Sequence, residues 1–241
     1  MLLKRLINNL KNPTYYFSQV FGSAAYVFLI VLWIFLKDES NLQISNTQII
    51  LYFLMIYSFN YLFTFSFVDT VVARLKDKAE QFWLSPGSAY KTFFRKDLLP
   101  VIIDNLPLMF LSVACSLALG LISSKTLLLF LGLIVLTHIC HFFLSIIFAL
   151  LKFYLNWEWV SFSLRYIGLT WNGSYLPLIF FKGIFLKILV FLPFLHSGLA
   201  TQLLLDEQLN GHFVINVLVY ILVFLFTSLY MLKNFKKYSQ G

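Results

Sequence analysis

Residues 126–151 read TLLLFLGLIVLTHICHFFLSIIFALL. The stretch holds 26 residues and no charged side chain. At ~1.5 Å of rise per residue, it exceeds the ~20 residues a helix needs to cross the hydrocarbon of a bilayer. A soluble helix of this length would keep a charged face, and this one carries no charge, so the segment predicts a membrane span. The whole chain agrees. Of its 241 residues, 60% are apolar and 12% charged, whereas roughly a quarter of a soluble domain is charged. Little is left over for an aqueous domain.

Working outward, residues 18–36 and 41–68 are uncharged and supply two earlier spans, the second beginning near Thr47. Residues 98–124 supply a third, with Asp104 near its start, and 208–232 supply the last, beginning near Phe213. The region 153–207 is interrupted by Asn172, Gly173, Pro177, Lys182, Lys187, Pro193 and Gly198. Backbone that leaves the helix at membrane depth must find shelter in protein or water. One span, about 158–175, followed by a re-entrant segment at 176–200 dipping in from the outer side, accommodates these breaks. The expected fold class is all-α integral membrane, with six transmembrane helices.

Charge distribution tests the count. The net charge of +8 raises nucleic acid as a partner, but the basic residues lie in the breaks between apolar runs, where they read as topology signals. With six spans, 14 of the 18 Lys and Arg fall on the inner side, and Lys37, Lys125, Lys182 and Lys187 fall outside. Seven spans would send Lys233, Lys236 and Lys237 outside. Six spans put both termini in the cytoplasm, as the excess of positive charge on inner loops requires. Cys115 and Cys140 lie inside apolar runs and imply no disulfide framework. Asn8, Asn9, Lys11 and Pro13 interrupt the apolar core that a cleaved signal peptide would need.

Two segments outside the spans carry pattern. In residues 1–12, Leu2, Leu3, Leu6, Ile7 and Leu10 share one helical face, with Lys4, Arg5, Asn8, Asn9 and Lys11 on the other. This predicts an interfacial helix on the cytoplasmic leaflet. Asn12 and Pro13 then suit a cap and first turn of the next helix. The longest inner loop, 72–97, reads VARLKDKAEQFWLSPGSAYKTFFRKD. Asp77, Lys78, Glu80 and Gln81 suit an exposed helix, Phe82, Trp83 and Leu84 form an apolar patch, and Ser85-Pro86-Gly87-Ser88 suits a turn. The patch fits either a docking element or an aromatic belt in the headgroup layer; docking is the preferred reading. Trp157, Glu158 and Trp159, in the other inner loop, offer a second docking point or an interfacial anchor.

Catalytic signatures are missing. There is no GxxxxGK[ST] phosphate loop, no nucleophile elbow and no CxxC pair. His138 and His141 share a face of the fourth span and could ligate a metal or haem. No other span offers a partner set, so hydrogen bonds to a neighbouring helix are the preferred role. Asp69 and Asp104, near the inner ends of the second and third spans, are expected to pair with Arg74, Arg95 or Lys96. Tyr57, Asn60 and Tyr61 on the second span, with Trp171 and Asn172 on the fifth, could line a path for a lipophilic or amphipathic substrate; for any one of these residues, ordinary helix packing is the preferred account.

The order of these pieces resembles the permease subunits of type-2 ABC exporters, in particular a compact six-span bacterial branch. The resemblance covers nearly the whole chain. It rests on the amphipathic helix at 1–12, on Phe82-Trp83-Leu84-Ser85-Pro86 between the second and third spans, on WNGSYLPLIFF and LPFLHSG after the fifth, and on the basic tail from Lys236 to Gly241. Lys78-Ala79 stands where the family often has a Gly, and Ser197-Gly198-Leu199-Ala200 where it usually has Tyr-Pro. The resemblance implies a multi-pass protein of the bacterial plasma membrane, a second permease chain, and a partner ATPase dimer that holds the ATP and magnesium. Residues 74–92 would then be the coupling segment, with Glu80, Phe82, Trp83, Leu84 and Pro86 at the ATPase and Trp157 and Glu158 making a lesser contact. The chain itself would hold no cofactor and no catalytic or metal-binding residue. Two other classes remain open on the residues: a membrane-embedded haem or metal protein using His138 and His141, and a scaffold subunit without transport of its own.

Overall fold

A computed structural model describes residues 7, 11–39, 44–63, 67–77, 86–155, 159 and 211–239. Every element among them is helical. In chain order these are α1 (Pro13–Glu39), α2 (Asn46–Phe63), α3 (Phe67–Asp77), α4 (Pro86–Phe93), a π-helical turn (Phe94–Leu98), α5 (Leu99–Ala118), α6 (Ser124–Leu155) and α7 (Gly211–Ser239). Three stretches, Ala89–Ala118, Ser124–Leu155 and Phe213–Phe235, are long and apolar enough to cross a membrane. Phe110, Leu128 and Phe226 on these rods are among many large apolar side chains left exposed, a surface that water would not tolerate and lipid does. The chain is a helical membrane protein.

Local chemistry explains where the helices begin and end. Asn12 Oδ1 accepts the Thr14 amide at 3.0 Å, so Asn12 caps α1 and Pro13 takes the first helical position. Ser45 and Gln48 form a reciprocal capping box at α2. The Gln48 amide donates to Ser45 Oγ at 3.1 Å, and the Ser45 amide donates to Gln48 Oε1 at 3.0 Å. At the end of α5, Gly120 adopts φ +65°. The Leu121 amide reaches back to the Ser116 carbonyl at 2.9 Å and the Gly120 amide to the Leu117 carbonyl at 3.0 Å. This paired closure needs a left-handed residue, which glycine supplies without a Cβ clash. Ser123 then caps α6 by accepting the Thr126 amide at 3.1 Å.

Several boundaries differ from the sequence reading. Within the second run, α2 is described to Phe63 and an amphipathic helix, α3, from Phe67; residues 64–66 lie outside the described residues. On α3, Val68, Val71, Val72 and Leu75 are buried, at the i, i+3, i+4, i+7 spacing of a one-faced helix. Of the turn expected at 85–88, residues 86–88 are instead the opening of α4, and Ser85 lies outside the described residues. Pro86 is compatible with that, because a first-turn proline loses no helical hydrogen bond. The third rod starts earlier than expected, because α4, the π turn and α5 run on without leaving right-handed helical dihedrals at Phe93, Leu98 and Leu99. The Leu99 amide donates five residues back, to Phe94. Pro100 follows at once; its missing N–H and its ring disturb the regular ladder there, a setting in which a wider turn is tolerated.

Packing sets the direction of each rod. At one end, Leu144, Ala149 and Leu150 of α6 cluster with Leu232 and Phe235 of α7, with the buried face of α3, and with Ala89 and Phe93 of α4. At the other, Leu127 and Phe130 of α6 meet Phe213 and Val217 of α7, Ile122, and Leu51 and Met55 of α2. Helices α6 and α7 are therefore antiparallel neighbours, and Leu155 and Gly211 stand at opposite ends of the bundle. Helix α1 packs on α2 through Tyr26, Ile30 and Trp33 against Ile49, Tyr52 and Phe53. Among the described residues, Lys11, Arg74, Lys76, Lys91, Arg95, Lys96, Lys152, Lys233, Lys236 and Lys237 belong to the first end, and Lys37 and Lys125 to the second.

Polar groups inside the rods are satisfied mostly by their own backbone, as apolar surroundings demand. Ser116 Oγ donates to the Ser112 carbonyl at 2.8 Å, Thr137 Oγ1 to the Ile134 carbonyl at 2.9 Å, and Asn105 Nδ2 to the Val101 carbonyl at 2.8 Å.

Candidate functional site

The basic end carries the first feature of interest. Helices α3 and α4 flank residues 78–85, and each is tied to a long rod. Lys152 Nζ of α6 meets Asp69 Oδ1 of α3 at 2.7 Å. Tyr90 Oη of α4 meets Ser228 Oγ of α7 at 2.6 Å. The Ser228 hydroxyl proton is already given to the Leu225 carbonyl at 3.0 Å, so Tyr90 is the donor in that pair. Tyr154 Oη of α6 also donates to the Met231 carbonyl of α7 at 3.2 Å. These bonds fix the short helices to two rods at once.

The second feature is an apolar cleft of about 600 Å³ between the third and fourth rods. Phe94, Leu98, Ile102 and Met109 form one wall, and Leu131, Ile134, Val135, His138, Ile139, Phe142 and Phe143 form the other. The first wall is a stripe of side chains one or two turns apart, which begins in the π turn. Aromatic rings close its basic end. Tyr90 lies 5.6 Å edge-on from Phe143, and Phe94 lies 6.4 Å edge-on from Phe142, the geometry such ring pairs favour. The volume lies within the 300–1,000 Å³ typical of small-ligand pockets. With walls this apolar, the cleft can bind a hydrocarbon and offers it little polar grip.

His138 is the polar member of the lining. Its Nδ1 bonds the Ile134 carbonyl on its own helix, where the sequence suggests a bond to a neighbouring helix. A carbonyl only accepts, so Nδ1 carries the proton. His141 is buried one turn along. Among the described residues, no group of three or more His, Cys, Asp or Glu could hold a metal ion.

The other sequence candidates fall unevenly. Pro86 opens α4, and Tyr57, Asn60 and Tyr61 lie in the last two turns of α2. Glu80, Phe82, Trp83, Leu84, Trp157, Glu158, Trp171 and Asn172, the re-entrant segment 176–200 and most of the interfacial helix 1–12 lie outside the described residues. Asp69 takes Lys152 as a partner, a cation 83 residues away that the expectation of Arg74, Arg95 or Lys96 does not include. Asp104, by its backbone carbonyl, accepts the Tyr15 hydroxyl of α1 at 2.7 Å.

Sequence reasoning misses Tyr90, Ser228, Asp97 and the cleft. Asp97 follows Arg95 and Lys96 and reads as part of a solvated charge run, yet it is buried in the π turn. Apolar residues spaced one turn apart within apolar runs carry no signal that a groove runs between them. No family model matches this chain, and neither does any curated protein or solved structure.

Proposed function

We propose that this chain is the transmembrane subunit of an ATP-driven exporter of the type-2 ABC class, moving a lipophilic or amphipathic substrate out of a bacterial cytoplasm. It has six spans with both termini inside, pairs with a second permease chain, and takes its energy from a separate ATPase dimer. The observation that carries the reading is the basic end. There, α3 and α4 bracket residues 78–85, and the Asp69–Lys152 and Tyr90–Ser228 contacts join them to α6 and α7. A partner pressing on this bracket would move two rods together, which is what coupling a nucleotide cycle to a membrane path requires.

Topology supports the same reading. Leu155 and Gly211 lie at opposite ends of the bundle, which agrees with a single further crossing between them. One crossing, added to α1, α2, the third rod, α6 and α7, makes six. Among the described residues, the ten basic ones at one end against two at the other agree with that end facing the cytoplasm.

The test is co-purification with a nucleotide-binding subunit, followed by Trp83→Ala with Leu84→Ala. The double variant is expected to lose ATPase binding and stimulation while keeping the circular dichroism of the helical bundle. Unchanged ATPase binding and stimulation would remove the docking assignment. A haem absorption band or stoichiometric metal in the purified chain would overturn the exporter reading itself.

A further inference from the structure

We propose that the cleft between the third and fourth rods is a binding site for one anionic glycerophospholipid of the surrounding leaflet, its acyl chain in the cleft and its phosphate on Arg95, Lys96 and Lys91. Hydrocarbon is the occupant the walls select. They are apolar from Phe94 to Met109, a rise of about 22 Å at ~1.5 Å per residue. One leaflet supplies ~15 Å of hydrocarbon, so an extended tail is contained along its length. The cleft opens outward, since Phe94, Val135 and Ile139 on its rims are exposed.

Charge at the mouth selects the headgroup. Arg95 and Lys96 follow Phe94 directly, and Lys91 lies one turn nearer the basic end; all three are exposed. Asp97, the next residue, is buried instead, so the outward charge of the π turn is positive. The register that turns Asp97 inward leaves Phe94 and Leu98 on the cleft wall. Basic clusters beside a groove between membrane helices at the cytoplasmic face are suited to lipid phosphates. Tyr90, Phe94, Phe142 and Phe143 group at the basic end of the cleft, and such rings suit the boundary between headgroup and hydrocarbon. His138 lies about one turn deeper, at the level of Leu98. The proposal needs only the membrane rods and the basic end, and it stands apart from the transport reading.

Native mass spectrometry of the full chain tests it, after exchange against equimolar phosphatidylglycerol and phosphatidylcholine in mixed micelles. One retained lipid per chain is expected, with phosphatidylglycerol preferred. Val135→Trp puts an indole into the cleft from a side chain already 58% exposed, so the fold should tolerate it, and occupancy should fall at least tenfold. Ile215→Trp, on α7 and equally exposed, should leave occupancy unchanged. Arg95→Ala with Lys96→Ala should keep a lipid but reduce the phosphatidylglycerol preference about twenty-five-fold, since each basic residue near an anionic surface contributes roughly fivefold. Wild-type occupancy in Val135→Trp would overturn the proposal. So would an equal affinity for both lipids in the wild type. If Val135→Trp instead splits a dimer in light scattering and leaves lipid occupancy intact, the cleft is a contact between copies and the proposal fails.

Discussion

Replacing Phe235 with Ala examines the contact on which the direction of α7 depends. Phe235 is fully buried at the basic end, its ring 4.6 Å from Phe153 and 5.3 Å from Tyr154 of α6. In water, the cost of such a truncation combines transfer and cavity terms. In a membrane, the unfolded chain still holds Phe235 in lipid, so most of the transfer term cancels and the cavity remains. Removing the ring leaves roughly 100 Å³, which at ~24 cal/mol per Å³ costs about 2.4 kcal/mol. Loss of ring-to-ring geometry adds ~0.5–1.5 kcal/mol. A total near 3 kcal/mol lowers the folding equilibrium about a hundredfold, at ~1.4 kcal/mol per decade. Phe226→Ala is the matched control. Phe226 lies on the same helix but is 66% exposed, so it has lipid around it folded or unfolded and should cost under ~0.5 kcal/mol. Equilibrium unfolding in mixed micelles, followed by circular dichroism, measures both. Equal costs for the two variants would refute the antiparallel packing of α6 on α7, and its support for six spans would fall with it.

Gly120→Ala should cost ~1–2 kcal/mol, entirely from a left-handed backbone, because an added Cβ meets nothing within 4 Å. Gly132→Ala, with equal space and no positive φ, should be neutral or stabilise by up to ~1 kcal/mol in the same assay. Tyr90→Phe and Ser228→Ala should couple by ~0.6 kcal/mol, and by no more than ~1.7 kcal/mol, in a double-mutant cycle; strict additivity would show that the 2.6 Å contact contributes nothing. In a background lacking Cys115 and Cys140, Lys96→Cys and Lys125→Cys should react with an impermeant maleimide from opposite faces of the membrane. Labelling from the same face would break the antiparallel arrangement of the third and fourth rods.

Much of the architecture was legible because apolar runs and caps are local signals. The 126–151 stretch needs no partner to declare itself, and α6 extends it only to Ser124 and Leu155. The start expected near Thr47 lies one residue from Asn46, where α2 begins behind the Ser45–Gln48 box. Asn12 and Pro13 announce α1 in the same way. What could not be read depends on neighbours. The amphipathic character of α3 begins inside an uncharged run, and only the burial of Val68, Val71, Val72 and Leu75 beside Leu144, Ala149 and Leu150 of α6 reveals it. The charged run at 94–98 suggests a loop end, yet the chain stays helical and widens to a π turn, burying Asp97 and exposing Arg95 and Lys96. The Asp69–Lys152 pair spans 83 residues, and nothing in either flank selects the other. The cleft is less legible still, since hydropathy gives the same value to a packed leucine and to one that lines a groove.

Both ends of the bundle hold an apolar cluster, and the basic end adds directional contacts onto α6 and α7, which bears on how a displacement would travel. At the basic end, directional polar contacts join α3 to α6, α4 to α7 and α6 to α7. At the far end, Leu127, Phe130, Phe213 and Val217 meet through apolar packing, which is non-directional and permits small sliding. A push on α3 and α4 would therefore carry the inner halves of α6 and α7 as a unit. The third rod is the member least able to follow rigidly. Its ladder is widened at Phe94–Leu98 and interrupted by Pro100 and Pro107, and sharp bends in helices concentrate at such sites. Those same turns supply the wall of the cleft from Phe94 to Met109. Bending there would change the width of the cleft before it changed anything at the far end. Under the exporter reading, a lipid held in the cleft would thus oppose or favour the bend according to the width it fits, which links the two proposals through one mechanical element, although each is tested separately.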